Sequence, residues 1–237
     1  MARMSVMPSK CRCNTGTDKT MKYQYFALDI DGTIFSSEHI IYPVYKESIE
    51  LFCQERNTTL ETPGHERIML EIGKPVKKIF QNLFPQLDER DRDFLSDSVL
   101  RLLCEKIAAG GGEYYPAVTE TIEAIVQRGG KILVASNGRR PYIEAILAYC
   151  KVLQHVIHPT YIDGQKIFTK SDIMRHYVSL GIEPRSVVMV GDRLSDLEAA
   201  QAIDCDFAWC AYGHAPPGEI TTWAIRLEQF LDLAQYA

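Results

Sequence analysis

No stretch of the 237 residues stays apolar long enough to cross a bilayer, a span that takes about 20 consecutive apolar residues as a helix. Clusters of basic residues are missing as well. The strongest basic spots are two pairs, Lys77-Lys78 and Arg139-Arg140, and the formal net charge is -5. Nucleic-acid backbones are held chiefly by clustered Lys and Arg, so this charge pattern argues against nucleic acid as a partner. A disulfide framework is absent too. The seven cysteines (Cys11, Cys13, Cys53, Cys104, Cys150, Cys205, Cys210) are odd in number, scattered, and mostly set in apolar stretches. They read as reduced thiols of a cytoplasmic protein. Cys11 and Cys13 stand close together but have no second pair at zinc spacing, which argues against a zinc site. Internal repeats and low-complexity tracts are not found.

What is present is the composition of a folded protein, 46% hydrophobic and 24% charged, in a chain long enough for one ordinary domain and a modest second one. Residues 1–20 are polar and patternless, without a signal peptide's apolar stretch. They are expected to be a flexible tail outside the fold, with Met21 as an alternative start. Short apolar runs at 23–30, 131–135, 186–190 and 207–211, and a weaker one at 155–158, read as strands. Helical periodicity separates them at 118–127, 141–149, 171–180 and 194–203. Strands that are apolar throughout and alternate with helices predict a parallel sheet covered on both faces. One segment breaks the alternation. Residues 43–53, 63–72, 75–83 and 89–108 all read as helix, with no strand among them. The expected architecture is therefore an α/β core of residues 21–36 and 115–237, interrupted by an all-helical insertion at 37–114. Gly110-Gly111-Gly112 is expected to be a flexible hinge on the return.

In open α/β sheets, ligands bind beyond the carboxyl ends of the strands. Asp29, Asp31, Ser136, Asn137 and Asp192 each stand just past such an end and are expected to converge. Asp29 and Asp31, two apart on an extended chain, face the same way. Two carboxylates that close raise one pKa: Asp29 is expected to stay ionised as a nucleophile, and Asp31 to act as acid and then base. Asp29, Asp192 and the Asp31 backbone carbonyl suit magnesium, a hard cation that usually takes one or two carboxylates. Asp196, one turn into the next helix, reads equally well as a ligand or orienting group and as a first-turn acid favoured by the helix dipole. Ser136 and the amides around Asn137 could hydrogen-bond a transferring phosphoryl group. Lys170, or Lys166 nearby, could neutralise phosphate charge. In the helical insertion Arg67, Lys74, Lys77 and His65 are candidate contacts to an anionic leaving group, with the Gly73-Lys74-Pro75 loop placed to face the core.

These segments resemble the motifs of the haloacid dehalogenase superfamily: Asp29-Ile30-Asp31-Gly32-Thr33, the strand ending at Ser136-Asn137, Lys170, and Gly191-Asp192 with Asp196. The pattern is most similar to the phosphoglycolate phosphatase-like and β-phosphoglucomutase-like branches, which carry an acid at the position of Asp31. The resemblance implies a Rossmann-like core, a helical cap, an aspartyl-phosphate intermediate and a Mg2+ cofactor. Two departures concern the subfamily alone: Asp204 and Cys210-Ala211 stand where related phosphatases usually place Gly and a Trp-Gly pair. The leading expectation is a phosphatase for a small phosphorylated metabolite (a sugar phosphate, phosphoglycolate or a nucleotide), acting as a monomer or homodimer. A phosphosugar mutase and a non-catalytic regulatory protein on the same fold remain open beside it.

Overall fold

The computed structural model describes residues 21–237. The expected tail and its Cys11 and Cys13 lie outside the described residues. In chain order the elements are β1 (Tyr25–Leu28), β2 (Phe35–Ser36), α1 (Glu38–Arg56), α2 (His65–Met69), α3 (Val76–Leu83), α4 (Glu89–Ala108), β3 (Glu113–Tyr114) and α5 (Val118–Gln127). There follow β4 (Lys131–Val134), α6 (Arg140–Tyr149), α7 (Lys170–Ser179), β5 (Val187–Gly191), α8 (Leu194–Gln201), β6 (Asp206–Cys210) and β7 (Ile225–Leu227).

Five strands form one sheet in the order β4-β1-β5-β6-β7, and every adjacent pair is parallel. Successive side chains of a strand point to opposite faces. Phe26, Leu28, Val188 and Val190 thus join a cluster with the residues of α1, α4, α5 and α6. Ala27, Val187 and Met189 meet Ile173, Met174 and Tyr177 of α7 and Leu197 of α8 on the other face. Both faces are covered, which is why β1, β4 and β5 run apolar without alternating. The chain leaves β1 for β4 on one side and later returns to β5 on the other. This reversal opens a crevice at the carboxyl end of β1.

Helices α1 to α4 follow one another between β2 and β3, as the periodicity predicts. Helix α1 starts before its expected first residue and keeps Pro43 inside. Proline there removes one helix hydrogen bond, and burial of Ile41, Val44, Tyr45 and Ile49 outweighs the loss. The helix expected over 63–72 shortens to α2, because beyond Met69 the chain tightens into i→i+3 turns at Ile68–Glu71 and Met69–Ile72. The weak strand at 155–158 is reduced to a single bridge, Ile132 with Val156. Strand β7 and the antiparallel pair β2–β3, which joins Phe35 to Tyr114, were not legible in the sequence. In the glycine run, Gly112 has φ +79 and faces the Phe35 ring so closely that a Cβ would stand 2.2 Å from it. Close packing requires that glycine. The described cysteines, Cys53, Cys104, Cys150, Cys205 and Cys210, are free thiols. Among the described residues no helix is long and apolar enough to cross a membrane.

One buried bond ties α7 to the sheet. The Tyr177 hydroxyl donates to the Val134 carbonyl at 2.7 Å, two residues before Ser136. Removing the donor strands a buried acceptor, at a cost of about 1–3 kcal/mol. Tyr177→Phe should lower the urea midpoint accordingly with an unchanged m value; an unchanged midpoint would show that this bond does not hold α7.

Candidate active site

The backbone alone brings the chemistry together. The Asp29 amide donates to the Val190 carbonyl at 2.9 Å, and the Ala135 amide to the Leu28 carbonyl at 2.9 Å. Asp29, Ser136 and Asp192 therefore leave their strands side by side. Asp29, Asp192 and Asp196 each offer a carboxylate oxygen within 4.8 Å of the others, and all three are at most 1% exposed. Lys170 reaches into this cluster. Its Nζ donates to Asp196 Oδ1 at 2.6 Å and lies 2.7 Å from Asp29 Oδ2. The latter contact is an ion pair lacking hydrogen-bond alignment, since Asp29 Oδ2 has no hydrogen-bond partner.

The local sequence explains the reach of Lys170. Thr169 caps α7 through a reciprocal pair with Asp172, which fixes Lys170 as the first helical residue. Its amide donates to Asn137 Oδ1 at 3.2 Å. The competing Lys166 sits exposed in the preceding loop. Asp196 serves in both of its expected settings: Oδ2 accepts from the Arg193 amide at 2.9 Å, as a first-turn acid does, while Oδ1 faces the cluster. Room for these carboxylates comes from glycine. Gly32 has φ +75, and a Cβ there would stand 2.2 Å from Asp192 Oδ2.

Three buried carboxylates against one ammonium leave two negative charges without a partner. Burial, followed by the charges of Asp196 and Asp29, pushes the Asp192 carboxyl well above the usual range. Burial likewise raises Asp196, with Asp29 adding to it and Lys170 opposing. Burial lowers the Lys170 pKa, but Asp196 and Asp29 outweigh it and the net shift is upward. Asp192 Oδ2 accepts from the His214 amide at 2.6 Å, yet Oδ1 has no partner. An orphaned, buried carboxylate oxygen beside two more carboxylates is a donor set that fits a hard divalent cation, which would neutralise the excess charge.

Asp31 stands apart from this cluster, and its Oδ1 accepts from Ser37 Oγ at 2.8 Å and Tyr142 Oη at 2.7 Å. Burial raises its pKa to about 6 against those two bonds, with help from the Asp29 charge. A carboxyl in that range can both hold and release a proton. Ser136 accepts from the Gly138 amide at 3.2 Å and lines the same cavity as Asp29 and Asp31.

Asn137 was expected at the phosphate. Its side chain, which accepts from the Lys170 amide, also donates to the Gly73 carbonyl at 2.8 Å. The Gly73 loop does face the core. Buried Arg193 donates to the Ile72 carbonyl and pairs with Glu219 at 2.8 and 3.2 Å. Sequence reasoning missed Ser37, Tyr142, Arg193 and Glu219. The position of Arg193 immediately after Asp192 was the one available signal. Of the helical candidates, Lys74 lines the cavity but pairs with Glu71 at 3.0 Å. Arg67 is exposed, donates to the Asn82 carbonyl at 3.1 Å, and is not among the residues lining the cavity. A short α2 leaves it on the outer side. His65 meets the Glu38 carbonyl at 3.1 Å, and Lys77 pairs with Glu89 at 3.2 Å on the surface.

Carboxylates gathered with a lysine at the carboxyl edge of a parallel sheet mark an enzyme of the doubly wound α/β class. The family follows from comparison. The chain belongs to the haloacid dehalogenase-like hydrolases, whose family model matches residues 23–204. It is 23% identical over 204 residues to the phosphoglycolate phosphatase of Haemophilus influenzae (strain 86-028NP), covering 81% of this chain and 88% of that one. The phosphoglycolate phosphatase of Escherichia coli (strain K12) is 21% identical, with 79% and 81% covered. The fold matches that of a predicted phosphoglycolate phosphatase from Haemophilus somnus 129pt with a TM-score of 0.76 at 19% identity, covering 91% of this chain and 98% of that one.

Removing Lys170 would leave the buried carboxylates uncompensated, and breaking a buried pair from one side costs about 3–5 kcal/mol. Lys170→Met, which keeps the volume, should lose stability of that order in urea with a chelator present. A loss below about 1 kcal/mol would mean that the carboxylates take up protons instead.

Proposed function

We propose that this hydrolase is a magnesium-dependent phosphatase, opening the ester of a small phosphorylated metabolite through an aspartyl-phosphate on Asp29. The observation that carries this reading is the setting of Asp29: buried at the end of β1, 2.7 Å from Lys170, in one cavity with Asp31 and Ser136. In the first half-reaction an Asp29 carboxylate oxygen bonds to phosphorus as the ester P–O bond breaks, and Asp31 gives its proton to the departing alcohol. In the second, Asp31 takes a proton from water, whose oxygen bonds to phosphorus. Inorganic phosphate leaves and Asp29 is restored. Ser136 and the backbone amides beside it hydrogen-bond the phosphoryl oxygens, and Lys170 offsets their charge. Asp29, Asp192, the Asp31 carbonyl and, by its place in the cluster, Asp196 would hold Mg2+, which neutralises charge on phosphate and carboxylates alike. Residues 37–114 act as a cap on a core of 21–36 and 115–237, and closure of the cap excludes water. The phosphatase names of the relatives and the acid at Asp31 support this reading, and a cytoplasmic location suits the free thiols.

Phosphate release from a panel of phosphorylated metabolites, with and without magnesium, tests the proposal. Release should require magnesium and vanish with EDTA. Asp29→Asn should abolish turnover with the fold intact by circular dichroism, and activity surviving that change would sink the mechanism. Asp31→Asn should slow turnover by about 10²–10⁴-fold. Conversion of one sugar phosphate into its isomer without phosphate release would identify a mutase instead.

A further inference from the structure

The cavity that begins at Asp29 and Ser136 runs on, away from the acids, between the sheet edge and the helical insertion. Its lining there is mainly hydrocarbon: Ile41 of α1, Ile72 after α2, Ile79 and Phe80 of α3, and Val99 and Leu103 of α4, with Tyr45 and Ser96 adding one hydroxyl each. None of the six apolar residues is more than 8% exposed. Two cationic residues line the cavity, Lys74 and Arg139, and each is already bound to a carboxylate, Lys74 to Glu71 at 3.0 Å and Arg139 to Asp97 at 2.6 Å. The acids at the near end, Asp29 and Asp31, supply no positive charge. An alcohol fragment carrying a carboxylate would lose its water against hydrocarbon with no uncommitted cation among the lining residues, and burying an unpaired charge is strongly unfavourable. A fragment built of CH₂ or aromatic CH would gain from the same burial.

We propose that the preferred substrates are monophosphate esters of short aliphatic or aromatic alcohols, whose hydrocarbon body fills this chamber, and that carboxylate-bearing esters are disfavoured. The inference rests on the phosphatase reading and concerns the leaving group alone. The reaction is the same hydrolysis: the P–O bond of the ester breaks, water supplies the oxygen of phosphate and the proton of the alcohol, and no further co-reactant enters. It sets this chain apart from the substrate that the names of its relatives state.

The experiment is kcat/KM for methyl, ethyl, propyl and butyl phosphate and for phosphoglycolate, with the full chain and magnesium. Each methylene buried should raise kcat/KM about fourfold until the chamber is full. Propyl phosphate and phosphoglycolate are close in size, and the alcohol released from phosphoglycolate is the better leaving group. Propyl phosphate should nonetheless be favoured by about tenfold or more, an order that runs against intrinsic reactivity and so reports the chamber. Leu100, half-buried on α4, also lines the chamber; Leu100→Lys should lower the butyl-to-methyl ratio and raise the relative rate on phosphoglycolate. Phosphate release with a flat alkyl series, or with phosphoglycolate preferred, overturns this inference and leaves the phosphatase reading standing. No release from any of the five esters overturns this inference as well, and the phosphatase reading is then decided separately by release from the wider metabolite panel.

Discussion

Three carboxylates and one ammonium group share a buried volume at the carboxyl edge of the sheet, and much of the fold follows from the need to keep them there. Like charges that close would drive each other towards water or towards protonation. They are held because each stands on rigid backbone: Asp29 just past the end of β1, Asp192 just past the end of its neighbour β5, Asp196 in the first turn of α8, Lys170 in the first turn of α7. The parallel sheet supplies the convergence, and glycine supplies the space, since any side chain at Gly32 would occupy the volume of the Asp192 carboxylate. The apolar layers on both faces stabilise a frame whose edge is electrostatically unfavourable on its own. On the proposed reading, the residual negative charge is what would hold a cation and, through it, a phosphate.

The helical insertion is joined to that edge by polar contacts as well as by packing. Asn137 and Arg193, each next to a residue of the reacting centre, hold the backbone carbonyls of Gly73 and Ile72. The same two carbonyls belong to the turn that brings Lys74 and Ile72 to the cavity wall. The carboxyl edge of the sheet and the insertion are therefore tied directly through two side chains. One continuous apolar cluster, from Phe26 and Leu28 to Leu103 and Ile107, backs this junction.

Much of this was legible because strands declare themselves locally. An apolar run ending in Asp, Ser or Gly-Asp places its last residue without knowledge of any other part of the chain, and that is how Asp29, Asp31, Ser136 and Asp192 could be assigned to one edge. The parallel sheet and the run of helices at 37–114 follow from periodicity in the same way. What stayed hidden depends on approach between distant segments. Tyr142 lies 111 residues from the Asp31 carboxylate that it hydrogen-bonds, and Glu219 lies 26 from Arg193; neither spacing leaves a pattern. Strand β7, with three residues, is too short for alternation to register. Arg67 shows the limit from the other side. A basic residue in the insertion suggests an anion contact, yet which side of a five-residue helix meets the cavity is decided by packing.

The division between the two ends of the cavity explains why motif and substrate are separate questions. At the strand ends the chemistry is fixed by charge, and few residue types can replace Asp29, Lys170 or Asp192. Away from them, α1, α3, α4 and the turn after α2 line the cavity with mostly apolar side chains, none of which belongs to the acid cluster. Selection of the leaving group is thus free to vary while the reacting centre stays as it is. On the proposed reading, the lining residues, and not the motifs, carry the information about which ester is hydrolysed. Their hydrocarbon character, with Lys74 and Arg139 each engaged by a carboxylate, is a physical property of these residues and does not depend on what any relative accepts.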